Sequence, residues 1–513
     1  MTDSSPRVFL VGAGPGNPGL LTLRAIECLR QADFVLYDKL VPVQLLEHLP
    51  PTARRLCVTE LPGRHPERYP HIHRTLIEMA RQGLRVVRLK GGDPFLFGRG
   101  GEEAEALREA GIPYEVVPGV TAALGVSAFA GIPLTHREHA SAVAFVTGHE
   151  NPHKTQSAID WPALARFPGT LVIYMGIAQI GPIVQTLIQH GKPATTPAAV
   201  VHWGTTGDQR AVEATLAELP RVVLAEGIMA PALILIGSVV ELRGKLAWFE
   251  RRPLFGHRVL VTRPRHQAGD LLRRLEVLGA VPYLLPAVAI REAPAWGPVD
   301  RALAQLRDYQ WLVFTSANGV QAFLGRLRCQ GLDLRALGGV RLAVIGPATA
   351  DALRDYHLEP DVMPRSFRSE ALAEELKPLV AGQRVLLARA DRGRDLLRQE
   401  LSAVAAVDQV AVYSQVDAID THNEVFDCLR RGEIDYVTLT SSNIARAFLQ
   451  SLDDVCRTRI QAGDIHLVTI SSLTSAAVRA FDLPVAAEAP QETTLGVTQA
   501  LIEHVRQGTP CRR

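Results

Sequence analysis

Residues 8–38 read VFLVGAGPGNPGLLTLRAIECLRQADFVLYD. A short aliphatic run ends in a glycine-rich turn, a helical pattern follows, and a second apolar run ends in an acid. The same alternation recurs in RTLIEMARQGLRVVRLKGGD (74–93), EEAEALREAGIPYEVVPG (102–119) and TLVIYMG (170–176). Apolar runs spaced by helical patterns of roughly 10–15 residues predict an α/β fold with parallel sheets, because parallel strands buried on both faces read as continuous hydrophobic stretches.

The chain has 513 residues, which at roughly 150 per domain suggests three or four compact units. Hydrophobic residues make up 47% and charged residues 21%, a globular composition that excludes a disordered or fibrous protein. Lys+Arg number 55 and Asp+Glu 53, so no global field calls for nucleic acid or an anionic membrane, and an anionic partner must be held by local clusters. The six cysteines are scattered, with no CxxC pair, which argues against a disulfide framework or a structural metal site and for a reducing cytoplasm. The N-terminus lacks the basic and apolar regions of a signal peptide, and runs such as ALILIGSVV (232–240) stop short of the ~18 residues a membrane span needs. A cytoplasmic protein is expected.

A domain break is expected near residues 247–257, in LRGKLAWFERRPLFGHRVLVTRP (242–264), where Pro253 and Gly256 interrupt the pattern and a new strand opens at Val259. Beyond it the chain repeats. WLVFTSANGVQAFL (from Trp311) matches YVTLTSSNIARAFL (from Tyr436), so that Ser316 aligns with Ser441 at an offset of 125. AVIGPATADAL aligns with VTISSLTSAAV at the same offset, Thr349 facing Thr474, and VLVTRPRHQAGDLLRRL aligns with VLLARADRGRDLLRQEL, Asp270 facing Asp395. Two related α/β lobes follow, with ligand loops at equivalent strand ends and a cleft between them.

In the first half, Gly12-Ala13-Gly14-Pro15-Gly16 follows a strand and precedes a helix. Taken alone it is compatible with a tight turn, a dinucleotide site with Asp38 near the ribose, or another small-molecule site. Two further glycine loops, Lys90–Gly101 and Val117–Ala123, also follow strands. Such loops let a ligand approach the backbone and leave N–H groups free to bind it, and three at one sheet edge point to one ligand site.

At these residues the resemblance becomes specific. VGAGPGNPGLLTLRA, YDKLV, VVRLKGGDPFLFGRGGEE, VVPGVTAALG, GIPLTHR, LVIYMG and GTTGDQR resemble the tetrapyrrole methylase family, and within it uroporphyrinogen-III C-methyltransferase, over about residues 7–250. The resemblance implies S-adenosyl-L-methionine as methyl donor, a cleft between two α/β lobes, and two methylations of uroporphyrinogen III giving precorrin-2. Carried over by motif, Pro15, Gly91, Gly92, Asp93, Leu96, Thr121, Ala122, Met175 and Gly204 would line the cofactor site. Asp38 would accept the ring proton, the alternative being a helix-capping aspartate. The absence of GxxxxGK[ST] agrees with a cofactor that needs no polyphosphate cradle. One departure is Glu60, which stands where the family often has a lysine proposed as proton donor; Arg64 or His65 could replace it, or the lysine is dispensable. His136, Arg137 and His139 form a basic cluster, either a solvated turn or a contact for propionates.

The repeated half resembles uroporphyrinogen-III synthase across about residues 257–513, on VLVTRP, VFTSANGV, Val410-Ala411-Val412-Tyr413 and LTSSN. The family closes linear hydroxymethylbilane into uroporphyrinogen III with inversion of the last ring, using no metal and no organic cofactor. Tyr413 would help hydroxide depart, unless it is a core tyrosine with a bonded hydroxyl. Arg263 and Arg389 on equivalent loops, with Ser316, Ser441 and Thr474, would bind substrate carboxylates, although TSxN before a helix is also an N-cap signature. The resemblance further implies one lobe of about 257–287 plus 418–513, another of about 293–408, and hinge strands at 288–292 and 409–416. It also implies a homodimer through the methylase half. A methylase of a later corrinoid beside an inactive synthase half is the alternative; a nicotinamide dehydrogenase or an exported two-lobed binding protein is less well supported by the residues.

Overall fold

The computed structural model describes residues 7–63, 67–149, 158–393 and 395–508. Arg64 and His65, considered above, lie outside these, as do Arg394 of the loop after Arg389 and one of the six cysteines, Cys511. The chain divides into two compact units between Gly256 and His257.

The first unit has two sheets. Strands β1 (Val8–Gly12), β2 (Phe34–Tyr37), β3 (Arg54–Cys57), β4 (Val86–Lys90) and β5 (Tyr114–Val117) pair in the order β3-β2-β4-β1-β5, all parallel. Apolar clusters cover both faces, Val11, Leu29, Val35 and Leu89 on one and Leu10, Leu36, Leu76 and Leu107 on the other. Every βα loop therefore opens at one edge of this sheet. The helix Leu23–Arg30 starts where Thr22 caps it, its hydroxyl accepting from the Ala25 N–H at 3.3 Å.

The second sheet contains β6 (Val143–Thr147), β7 (Thr170–Tyr174), β8 (Pro197–His202), β9 (Arg210–Thr215) and β10 (Ala232–Ile236), in the order β6-β7-β10-β8-β9. Only β6 and β7 run parallel; the other three pairings are antiparallel. This corrects the parallel reading of these runs. Ala198–Val201 and Leu233–Ile236 are continuous and apolar because apolar clusters cover both faces of the sheet, and two-sided burial carries no information about strand direction.

The expected linker is partly built into this unit. Trp248 Nε1 donates to the Ala128 carbonyl at 2.9 Å, the Phe249 ring packs 4.7 Å from that of Phe129, and Glu250 accepts from Arg243 and Gln209.

The second unit also has two sheets. Strands β11 (Arg258–Val261) and β12 (Val281–Leu284) begin one; β13 (Val288–Glu292), β14 (Trp311–Phe314), β15 (Arg341–Val344), β16 (Arg384–Ala390) and β17 (Ala406–Asp417) form the other. The chain then returns through β18 (Tyr436–Leu439), β19 (His466–Thr469) and β20 (Ala487–Glu488). The sheet orders are β12-β11-β18-β19-β20, all parallel, and β13-β17-β16-β14-β15, parallel except for the antiparallel β13–β17 pair. Each lobe has its own core, built around Phe426 and Phe448 in one and Phe314 and Phe323 in the other.

Candidate active sites

In the first unit the three glycine loops meet at the carboxyl edge of the parallel sheet. The Gly92 N–H donates to the Gly14 carbonyl at 2.8 Å, and Ala13 N–H to the Lys90 carbonyl at 2.7 Å. A Cβ on Gly12 would sit 2.6 Å from the Gly119 Cα and from the Gly92 oxygen, so only glycine lets these loops touch. Gly91 is different, because a Cβ there would meet nothing within 4 Å.

Asp93 braces this junction. Its Oδ1 accepts from the Phe95 and Leu96 N–H groups at 2.8 and 3.2 Å, and its Oδ2 from Gly119 at 3.0 Å. The Tyr174 hydroxyl ties in the second sheet, 2.7 Å from Thr121 Oγ1 and accepting from the Ala123 N–H at 2.8 Å. Burial raises the Tyr174 pKa, and these two contacts oppose that shift without cancelling it. Asn17 reaches the loop after β8, its N–H donating to Thr205 Oγ1 at 3.1 Å. Pro15 packs against Gly125, Gly204 against Val126, and Leu96 with Ala122 against the Tyr174 cluster. The structure thus gathers Pro15, Gly92, Asp93, Leu96, Thr121, Ala122 and Gly204 around one helix start, with Gly91 and Met175 on the adjoining loops.

Four non-glycine residues around this junction, Phe97, Met175, Trp203 and Thr205, have φ between 46° and 72°. That left-handed conformation costs of order 1 kcal/mol or more each and clusters where function over-determines the backbone.

Asp38 lies at the end of β2, with both carboxylate oxygens engaged: Oδ1 by Arg88 at 2.5 Å and Oδ2 by the Gly91 N–H at 3.3 Å. Behind it is a buried charge cluster that the sequence reading missed. Arg88, 2% exposed, also donates through Nε to Glu103 Oε1 at 3.0 Å, and Lys90 Nζ donates to the same oxygen at 2.7 Å. Two cations and two carboxylates balance. Burial lowers the Lys90 pKa, with Arg88 adding to that effect and Glu103 opposing it. The available signal was an Arg and a Lys inside the otherwise apolar VVRLK strand, which require buried partners. Glu60 turns away from such a role. Its Oε1 accepts the Cys57 N–H at 2.8 Å, completing a local capping box.

In the second unit Tyr413 lies on β17, 4% exposed, opposite Glu292 and beside an irregularity in the β16 pairing at Arg389/Ala390. Its hydroxyl is 3.0 Å from Ser316 Oγ, and burial raises its pKa. Ser316 and Ser441 both cap helices, accepting from Gly319 at 3.1 Å and from Ile444 at 3.2 Å. Arg389 is buried with Asp395 3.9 Å away. Arg263 is partly buried, no carboxylate lies within ion-pair distance among the described residues, and burial lowers its pKa. Thr440 Oγ1 is buried with no hydrogen-bond partner among the described residues. An unpaired guanidinium and an orphaned hydroxyl just beyond two neighbouring strands of one sheet are groups that an anionic ligand would satisfy.

Thr474 is placed otherwise. It is 1% exposed, and its hydroxyl lies 3.2 Å from Ser471 Oγ within its own helix cap. The lobes of this unit touch around the cleft: Gln267 Nε2 donates to Asn318 at 2.7 Å and Arg368 pairs with Glu492 at 3.3 Å. No group of metal-ligating side chains occurs among the described residues.

Comparison with known proteins places both units. Residues 7–220 match the family of tetrapyrrole (corrin/porphyrin) methylases and residues 269–499 that of uroporphyrinogen-III synthase HemD. The porphyrin biosynthesis protein HemD of Ruminiclostridium josui is 37% identical over 478 residues, covering 93% of this chain and 94% of that protein. The siroheme synthase of Chromobacterium violaceum is 51% identical over 249 residues, 48% of this chain and 53% of that protein, so the chain spans about half the length of such relatives. The uroporphyrin-III C-methyl transferase of Thermus thermophilus, solved with S-adenyl homocysteine, is 42% identical and covers 46% of this chain and 99% of that one, with a TM-score of 0.39.

The fold and loops define a tetrapyrrole methylase domain followed by a uroporphyrinogen-III synthase domain. The chain belongs to the family that fuses the two in one polypeptide.

Proposed function

We propose that the second unit cyclises hydroxymethylbilane to uroporphyrinogen III with inversion of the last ring, and that the first unit methylates that product twice to give precorrin-2, on the way to siroheme or cobalamin. The observation that supports this reading is that one relative, a porphyrin biosynthesis protein, aligns along 93% of the chain and so through both domains; consecutive steps on a shared metabolite would account for the pairing.

For the first unit, open space at Gly91 and an apolar rim at Leu96 suit a cofactor that carries no phosphate and has a flat base to pack. Pro15, Gly91, Gly92, Asp93, Leu96, Thr121, Ala122, Met175 and Gly204 would hold S-adenosyl-L-methionine, which supplies an activated methyl group when bound. The protein then has to align the pyrrole carbon and remove its proton after attack. Asp38 has lone pairs beyond those given to Arg88 and Gly91 and would accept that proton, while Arg88 keeps the carboxylate in one rotamer. Asp93 would hold the cofactor by fixing the loops around it, its two oxygens accepting backbone N–H groups from Phe95, Leu96 and Gly119.

In the second unit the substrate loses hydroxide to form an electron-poor azafulvene that a pyrrole carbon attacks through a spiro intermediate, with water as the by-product. Tyr413, a phenol neutral at physiological pH that burial holds further from ionising, would donate to the leaving hydroxyl. Arg263, Arg389, Ser316, Ser441 and Thr440 would hold carboxylates, and Thr474 would act through the Ser471 cap.

The test incubates the full chain with hydroxymethylbilane, with and without S-adenosyl-L-methionine. Uroporphyrinogen III without donor and a dimethylated product with it support both halves. Isomer I alone removes the synthase activity, and methylation only of a later corrinoid replaces the methylase assignment.

A further inference from the structure

The second lobe of the methylase unit has an open pocket of about 410 Å³ at the opposite end of its sheet from the glycine loops. It lies where β7 and β8 begin and β10 ends, whereas Met175 and Trp203 follow the far ends of β7 and β8. The turn after the helix Trp161–Arg166, the turn after the helix Ile180–Gln189, and the start of the turn Ser238–Leu242 form its walls.

Its charge is one-sided. His139, Arg166 and Lys192 line it and no carboxylate does, in a chain whose formal net charge is only +2. Lys192 is 8% exposed, and its ammonium has one acceptor, the Phe167 carbonyl at 3.3 Å. No acid pairs with it or with Arg166 among the described residues. Burying an ammonium with two of its three donors unspent is costly, and the cost is removed when an anion takes those donors. A second unspent group adjoins the pocket. The Thr170 hydroxyl is fully buried without a partner, 3.6 Å from where a Cβ on Gly237 would sit.

We propose that this pocket binds a small oxyanion, a phosphate or a short carboxylate, with Lys192 as its principal ligand and Arg166 at its mouth. The volume lies at the small end for ligand pockets and suits a single anionic group with its water, not a macrocycle. Because β7 and β8 begin and β10 ends at its rim, occupancy would tie three turns of the lobe together and stabilise it by mass action.

The experiment titrates the full chain with inorganic phosphate against chloride at matched ionic strength, reading melting temperature and calorimetric binding, with succinate as a parallel arm. A saturable rise in melting temperature with phosphate or succinate, but not chloride, is expected. Which of the two acts identifies the ligand chemistry. Lys192→Met should weaken that binding at least tenfold without lowering the melting temperature of the anion-free protein, and Arg166→Gln should weaken it several-fold. Should Lys192→Met not fold, the exposed Arg166→Gln decides. Equal effects of chloride and both oxyanions, or a saturable shift that survives the variants unchanged, overturn the proposal. Neither readout depends on methylation or cyclisation.

Discussion

The Arg88 guanidinium donates to Asp38 at 2.5 Å from a position buried between that aspartate and Glu103. The carboxylate proposed to move a proton is thus fixed from behind by a group that solvent does not reach. Asp38→Asn retains the size of the side chain and removes its capacity to take a proton. Methyl transfer should fall about 10²–10⁴-fold, the usual contribution of a positioned base. Binding of S-adenosylhomocysteine, measured by calorimetry, should stay within a few-fold. Normal turnover in this variant would remove Asp38 from the mechanism.

Arg88 itself is a stability determinant. Arg88→Met leaves Glu103 with only Lys90, and strips Asp38 of its cation. Breaking a buried charge network by removing one member typically costs about 3–5 kcal/mol. Urea denaturation of the variant should show a loss of this size in the first transition; a loss under about 1 kcal/mol would mean that water screens the cluster.

Glycines of two of these loops should respond differently. Gly12→Ala drives a methyl into the Gly119 backbone at 2.6 Å, an overpacking worth roughly 1–3 kcal/mol of stability. Gly91→Ala meets open space and should leave the melting temperature within about a degree or two, consistent with a change of at most a few tenths of a kcal/mol. If the cofactor lies against Gly91, the same alanine should nevertheless weaken S-adenosylhomocysteine binding at least tenfold. Unchanged binding would put the cofactor elsewhere.

Tyr413 and Ser316 separate catalysis from capping. Tyr413→Phe removes a hydroxyl held 3.0 Å from Ser316 and should cost no more than about 1.5 kcal/mol of stability. Formation of uroporphyrinogen III should fall by about 10²-fold or more if the phenol assists hydroxide departure. Ser316→Ala loses the cap as well, about 1 kcal/mol, with a smaller effect on rate. Product assays by isomer separation would detect a Tyr413→Phe enzyme that still makes isomer III at the parental rate, and that result would return Tyr413 to the core.

Much of this site was legible because it is local in sequence. Ser316 stands where the TSxN signature puts a cap, and the 125-residue offset that aligns Ser316 with Ser441 corresponds to two helix starts of the same geometry. What escaped the reading depends on partners far along the chain. Arg88 meets Asp38 across 50 residues and Glu103 across 15, and neither spacing marks a motif. The antiparallel strands of the second sheet escaped because burial sets the apolar pattern, whichever way a strand runs. The contact of the Thr474 hydroxyl with Ser471 at its own helix start is likewise a rotamer choice that composition does not encode.

A last expectation concerns acid. Behind the synthase lobe His504 Nδ1 lies 3.1 Å from the Tyr436 hydroxyl, with the His466 ring 4.9 Å away, and burial lowers the His504 pKa below its ordinary 6.5. The folded protein therefore favours the neutral ring, and the unfolded chain takes the proton first. Stability is unaffected well above pH 6.5, begins to fall as pH drops through about 6.5, and stops falling from this cause once the lower folded-state value is passed. Between those limits the slope for the one group stays below about 1.4 kcal/mol per pH unit. His504→Gln has no titrating ring, so its denaturation free energy should decline less steeply from pH 7 to 5 while staying within about 1 kcal/mol of the parent at pH 8. Parallel pH profiles for the two proteins would show that the neutral ring is not what this lobe requires.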